Sequence, residues 1–398
     1  MSVCRKYQTA LLLCLMALWG AGCGDNGENG DTKAEVPQVD LSKPINVNLD
    51  AEIPQYLASF NLMDWNQEDG FQYHDGVVPY DMNTPLFSDY ALKSRAIYIP
   101  EGTTIQYVDN EVFDFPVGTV ILKTFYFAED GREPEKNHRL IETRVLILHE
   151  DGWKAYPYYW NDEQTAAVLV PAGKNVDIDL VDNRGEERHA KYRVPSRNEC
   201  QQCHIRKDID TGETVGFLPI GPKARHINRD YAYADGTQNQ LTHMAERGWL
   251  QGLPPIDEVP QAFDFSIVEH DGVDSLDADA LEKAAVDYLD INCAHCHSPT
   301  GVQGVSSQFF LNHDYAGQDL NRGICKQPGS AGNATGGNTY DIVPGSAEQS
   351  ILYFRMHTEE RGKMMPVLAR SLEHTDGTAL VKRWIDEMPI NSQCPPKE

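Results

Sequence analysis

Two short stretches carry the residue types for cofactor chemistry. Residues 199–204 read ECQQCH and residues 292–297 read NCAHCH. Each holds two cysteines three apart with a histidine directly after the second, so Cys200, Cys203 and His204 form one set and Cys293, Cys296 and His297 the other. Composition alone predicts about 0.007 chance occurrences of that pattern in the chain, which makes two hard to assign to accident. Three chemistries use such residues. Zinc needs four ligands around one tetrahedron, and pairing the motifs would span 89 intervening residues, unlike common zinc ribbons. A dithiol exchange pair asks for a βαβ setting and does not call for the following His. Covalent haem accounts for every position: both thiols form thioethers with the porphyrin, and the adjacent His ligates iron.

A sixth ligand is also legible for the second motif. GKMMPVLARS at 362–371 places a Met before a Pro, ahead of the terminal helix pattern. Met365 is the expected thioether ligand, Met364 the alternative, and a Met packed as soft core filler the plain reading. His/Met ligation raises the potential and suits electron transfer. For the first motif His226, His243 and Met244 are open candidates beside an open coordination position.

The elements that must position these groups follow from texture. Residues 1–22 read as an export signal, with Arg5 and Lys6 ahead of an apolar run too short to span a membrane. AGC at 21–23 resembles a bacterial lipoprotein box, which implies lipid on Cys23, with ordinary cleavage nearby as the alternative. The expected location is the periplasmic side of a bacterial membrane, the outer in preference to the inner. Residues 23–44 read as a flexible tether. Residues 45–196 carry aromatic and β-branched runs between turn signals, a β-rich, sandwich-like domain. Its Trp153, Tyr156, Tyr158, Tyr159 and Trp160 are either core or the lining of a ligand groove. Residues 197–260 form the first haem module. Residues 274–398 form an all-α haem domain, in which Leu281, Ala285, Tyr288 and Ile291 mark one helix stripe and Leu380, Val381, Trp384, Ile385 and Met388 another. The fold class is therefore multidomain α+β.

Once the signal, the lipid site and the two motifs are assigned, Cys325 and Cys394 are left as a pair in a compartment where disulfides persist. A bridge between them is expected, with two free thiols as the alternative. The net charge of −26 argues against nucleic acid and is compatible with a basic redox partner, or simply with solubility.

Pro344, Gly345, Ser350, Leu352, Met365, Pro366 and Trp384-Ile385-Asp386 resemble the marks of a class I cytochrome c domain of the planctomycete type. More broadly, NTPLFSDYALKSR, IETRVL, YYWNDEQTAA, ECQQCH, NRDYAY and NQL resemble an uncharacterised bacterial family of dihaem c-type cytochromes, many of them lipoproteins. The resemblance implies haem binding and one-electron transfer without a known substrate. A dihaem enzyme of peroxidase-like type is the alternative function, since LFSD at 86–89 echoes such enzymes, although it lies 110 residues before the first motif. A scaffold lipoprotein with incidental haems is a third reading.

Overall fold

Six antiparallel strands form the central sheet: β1 (Val77–Pro79), β2 (Leu92–Tyr98), β3 (Val120–Phe127), β4 (Arg139–His149), β5 (Gly152–Trp160) and β6 (Ala167–Leu169), hydrogen-bonded in that order. The structure is a computed structural model and describes residues 36–301, 308–389 and 394–395. Both faces of this sheet are covered, which is why its long strands read as nearly unbroken apolar runs rather than clean alternation. On one face Ala96, Leu122, Val145 and Tyr158 pack with Leu57, Phe60 and the ribbon Met63–Asn66/Gly70–Tyr73. On the other, Ile97, Ile121, Leu146 and Ala155 pack with Cys200, Met244 and Ile291, outside the β-rich segment. The twisted ribbon Lys174–Val181/Glu187–Val194 closes the rest of that second face through Val176, Ile178, Tyr192, Phe125 and Phe127.

Mixed α and β content agrees with expectation, whereas the sandwich differs. A single six-stranded sheet carries two-stranded ribbons, and no second large sheet faces it among the described residues. The partner that buries its second face is the segment bearing the two motifs. Pro37–Glu398 is accordingly one compact unit, not three separable bodies. The tether assigned to 23–44 also ends earlier, because Asn61 binds the backbone of Asp40, Lys43 and Pro44. Residues 1–35, with the export signal and Cys23, lie outside the described residues.

Four helices matter for the site: α1 (Arg197–His204), α2 (Ala278–Cys293), α3 (Ile351–His357) and α4 (Thr375–Glu387). Asp277 caps α2 by accepting from the Ala280 N–H at 2.9 Å, which satisfies one of the orphan donors of its first turn. The α2 stripe Leu281, Ala285, Tyr288 and Ile291 is buried, as are Leu380, Val381, Trp384 and Ile385 of α4. These helices pack against each other, closely where Gly377 of α4 meets the Tyr288 ring, since a Cβ there would overlap the phenol. Gly377→Ala should therefore destabilise by about 1–3 kcal/mol through overpacking, despite alanine's better helix propensity. Chemical denaturation of the variant checks this. A disulfide joins Cys325 to Cys394 and ties the end of the chain to the loop before α3. No helix among the described residues is long and apolar enough to cross a membrane.

Candidate functional site

The first motif occupies α1, and its local sequence explains the helix. Ser196 accepts from the Glu199 N–H while the Glu199 carboxylate accepts from the Ser196 N–H, a reciprocal capping box. Arg193 clamps the same carboxylate at 2.7 Å and holds Glu199 down at about 2. Cys200 is buried, and burial raises its pKa. Cys203 and His204 are half-buried and face a cleft. His204 Nδ1 donates to the Leu218 carbonyl at 2.7 Å, and its ring stacks on Phe217 with centroids 4.4 Å apart. That bond assigns the proton to Nδ1 and leaves the Nε2 lone pair available, the arrangement by which outer groups orient an imidazole in metal sites.

The second motif ends α2 and runs into the following turn. Cys293, Cys296, His297 and Met365 line a second cleft of about 350 Å³, together with apolar Leu311, Ile351, Leu352 and Met356. This size falls within the range of cofactor sites. His297 Nδ1 is buried without a hydrogen-bond partner, and burial holds its pKa down to about 4. Burial pushes the Cys293 thiol up to about 12. Of the two adjacent methionines, Met365 lines the cleft, whereas Met364 is buried and does not line it.

Folding brings the two motifs together. Cys203 Sγ, Cys296 Sγ and a ring nitrogen of His295 lie within 4.8 Å of one another. Hydrogen bonding from Cys296 holds the Cys203 thiol down to about 4, with His295 adding to the effect. Arg206 staples the backbones by donating to the His295 carbonyl at 2.7 Å and the Cys203 carbonyl at 3.2 Å. The Lys207 N–H donates to the Thr300 carbonyl at 2.9 Å. The 89 residues that separate the motifs in sequence are thus no barrier to proximity. The clefts share Phe87, Asn292, Cys203, His295, Pro366 and Leu368 as a common wall.

The stretch NTPLFSD explains how that wall is assembled. Asn83 Nδ2 donates to the Asn228 carbonyl and Thr84 Oγ1 to the Phe263 carbonyl. The Phe87 N–H donates to Asn292 Oδ1 at 2.8 Å, which sets Phe87 against α2. Asp89 accepts from the N–H groups of Ser371 and Leu372 and so holds the loop after Met365. LFSD, distant from the first motif in sequence, therefore reaches both clefts through Phe87 and the first through Leu86.

The three candidate ligands for the first motif are used elsewhere. His226 is fully buried and pairs with Asp290 of α2 at 3.0 Å. His243 stacks on Tyr233 with centroids 3.7 Å apart and bonds Gln238. Met244 is in the core. None of them lines the first cleft, whereas Met82, which stands in no local sequence pattern, does. The aromatic groove resolves mostly into core. Tyr158 is buried with its hydroxyl on the Pro54 carbonyl, and Trp160 donates to Thr143. Trp153 packs on Phe115, and only Tyr156 of the five lines the cleft.

Compared with protein-family models, with curated proteins and with solved structures, the chain matches none.

Proposed function

We propose that the chain is an exported, lipid-anchored dihaem c-type cytochrome that passes single electrons between two adjacent haems. The observation that carries this reading is the meeting of Cys203, on the wall common to both clefts, with Cys296 of the second cleft. Cys200 and Cys203 would hold one haem and Cys293 and Cys296 the other, with His204 and His297 as iron ligands. Bound there, the haems supply one-electron cycling between ferric and ferrous iron. The chain's own groups do the rest. His204 presents Nε2 because Leu218 holds its other nitrogen, and Arg206 fixes the two motifs against each other. Phe87 and Pro366 give the wall between the clefts apolar surface. The packing of α2 on α4 with Trp384 buried supports a class I cytochrome c domain around the second haem. The first cleft is smaller, about 140 Å³, and Pro219, Pro222 and Pro366 are among its lining residues. The acidic surface suits a basic redox partner.

Zinc has one observation in its favour, the Cys203–His295–Cys296 cluster. It supplies three ligands where a structural site needs four, and it leaves Cys200, Cys293, His204 and His297 without a role. Peptide mass spectrometry of protein made with haem-attachment machinery decides between them. Two haem-modified peptides support the cytochrome, and unmodified cysteines with bound zinc overturn it.

The sixth ligand of the second haem has its own test. Met365→Ala should abolish the near-infrared His/Met band and lower that haem's potential. Met364→Ala should keep the band and cost about 2–5 kcal/mol as a core truncation. Spectroelectrochemistry and denaturation of both variants check the assignment. A second function, a peroxidase-like dihaem enzyme, is favoured by the absence of His226, His243 and Met244 from the first cleft. A high-spin ferric signal with ready cyanide binding selects that enzyme, and two low-spin signals select the relay.

A further inference from the structure

One face of the central sheet carries a row of cations that packing alone does not account for. The strand register sets Arg95 of β2 opposite Lys123 of β3, and Lys123 opposite Arg144 of β4. All three line the first cleft, beside Cys200, Cys203 and His204. Like charges directly opposite on a sheet are destabilising, and cations in a partly closed cleft more so. Two of the three are partly compensated. Arg95 Nη1 pairs with Asp81 at 2.9 Å, and Arg144 makes a two-pronged pair with Glu142, which also accepts from Tyr192. Lys123 has no anionic partner among the described residues, its Nζ lying 4.9 Å from the Phe125 ring centre. Arg95 is 4% exposed, and its Nε and Nη2 are buried with no hydrogen-bond partner. Burial and the neighbouring cations together hold Lys123 well below the usual lysine range.

A buried guanidinium with two idle donors, a lysine without an anionic partner beside it and an apolar cleft in front specify a planar anion. We propose that the Arg95–Lys123–Arg144 row is a carboxylate-binding site in the wall of the first cleft. Two sources supply that chemistry: the propionates of the haem on Cys200 and Cys203, or a free carboxylate entering from solution. The first source rests on the cytochrome reading. It also gives the β-rich segment a role, since its sheet becomes the electrostatic wall of a site whose thiols and imidazole come from outside it.

The test uses the full-length holoprotein and follows the midpoint potentials of both haems by spectroelectrochemistry, with and without sodium acetate. Lys123→Met and Arg95→Gln remove parts of the row. Lys123→Arg keeps its charge, and Lys154→Met, in the alternate register of the same sheet, is the control. If propionates fill the row, Lys123→Met shifts the first haem's potential downward, several-fold more than the second's. A nearby cation favours the ferrous form, so its removal favours the ferric. Lys123→Arg retains the wild-type value, and acetate has no effect. If a free carboxylate is the ligand, wild type shows a saturable acetate-dependent shift that Lys123→Met and Arg95→Gln lose. Unchanged potentials in both variants, with no acetate response, overturn the site. Should Lys123→Met not fold, Arg95→Gln carries the same comparison. Peptide mass spectrometry keeps the two levels apart: without haem on Cys200 and Cys203 the cytochrome reading fails. Calorimetric acetate binding lost in Lys123→Met would then still support the row, and no binding would sink it.

Discussion

On the dihaem reading proposed above, the Cys200→Ser/Cys203→Ser double variant should carry one covalent haem instead of two, and the remaining haem should keep its His/Met spectrum. Each motif supplies two thiols, Cys200 and Cys203 to the first cleft and Cys293 and Cys296 to the second, with Cys203 also on the wall that the clefts share. The second cleft has His297 and Met365 on its lining, and neither comes from the first motif. The reciprocal Cys293→Ser/Cys296→Ser variant should lose the His/Met band. Intact mass and the pyridine haemochrome spectrum measure both. Retention of two haems in either double variant would refute the assignment of thiols to haems. Adjacency adds a finer expectation. Cys203 lies in the wall common to both clefts, so the first double variant should also shift the potential of the surviving haem.

Asp290→Asn should cost about 3–5 kcal/mol, the range for breaking a buried ion pair by removing one partner. That is a large fraction of a typical folding free energy of about 5–15 kcal/mol. Asp290 is a buried residue of α2 that lies 3.0 Å from His226 Nε2 and 3.7 Å from both Lys223 and Arg225, and it accepts from the His313 N–H at 2.9 Å. Burial alone would raise its pKa, but Lys223, His226 and Arg225 outweigh it and hold the carboxyl well below the ordinary range. Asparagine keeps the volume and leaves Lys223 and Arg225 facing an amide. A carboxyl with a depressed folded-state pKa contributes stability that is fully present above its unfolded value, about 3.9, and declines as pH falls below it. The variant should therefore be less stable at neutral pH and show a flatter acid limb. Urea denaturation between pH 7 and pH 3 measures both, and an unchanged midpoint at pH 7 would remove the network from the account. The same network docks Ala224–Ile227, near the first motif, onto the helix that ends in the second. On the dihaem reading, its loss should also reduce haem loading at both motifs.

Much of the site is legible because its determinants are local. Cys-x-x-Cys-His is a contiguous unit, so both thiol-histidine motifs are visible without a fold, and Met-Pro ahead of a terminal helix is nearly so. Helical stripes such as Leu281–Ile291 and Leu380–Ile385 are read from period alone, and the structure buries them. His226, one of three candidates left open in the sequence, has a partner that no local pattern shows. Its partner Asp290 is 64 residues away, and a helix wheel treats a carboxylate at that position as solvent-facing. Met365 and Met364 could not be separated in sequence, because which of two neighbours points into a cleft depends on backbone path. The sandwich expectation failed because strand texture shows that a sheet is buried on both faces without showing what buries it.

By itself the sequence determined the two thiol-histidine units, the pairing of Cys325 with Cys394 as an expectation, the strand-rich segment and the helices around the second motif. Each rests on residues close together in the chain or on counting them. Tertiary structure alone decided that Cys203 meets Cys296, that NTPLFSD reaches both clefts, and that Arg95, Lys123 and Arg144 stand in one row. The physical reason is register. A shift of one residue in any strand would turn its cation to the opposite face, and register is set by pairing across loops and by packing on both faces of the sheet, not by the residues of the strand itself.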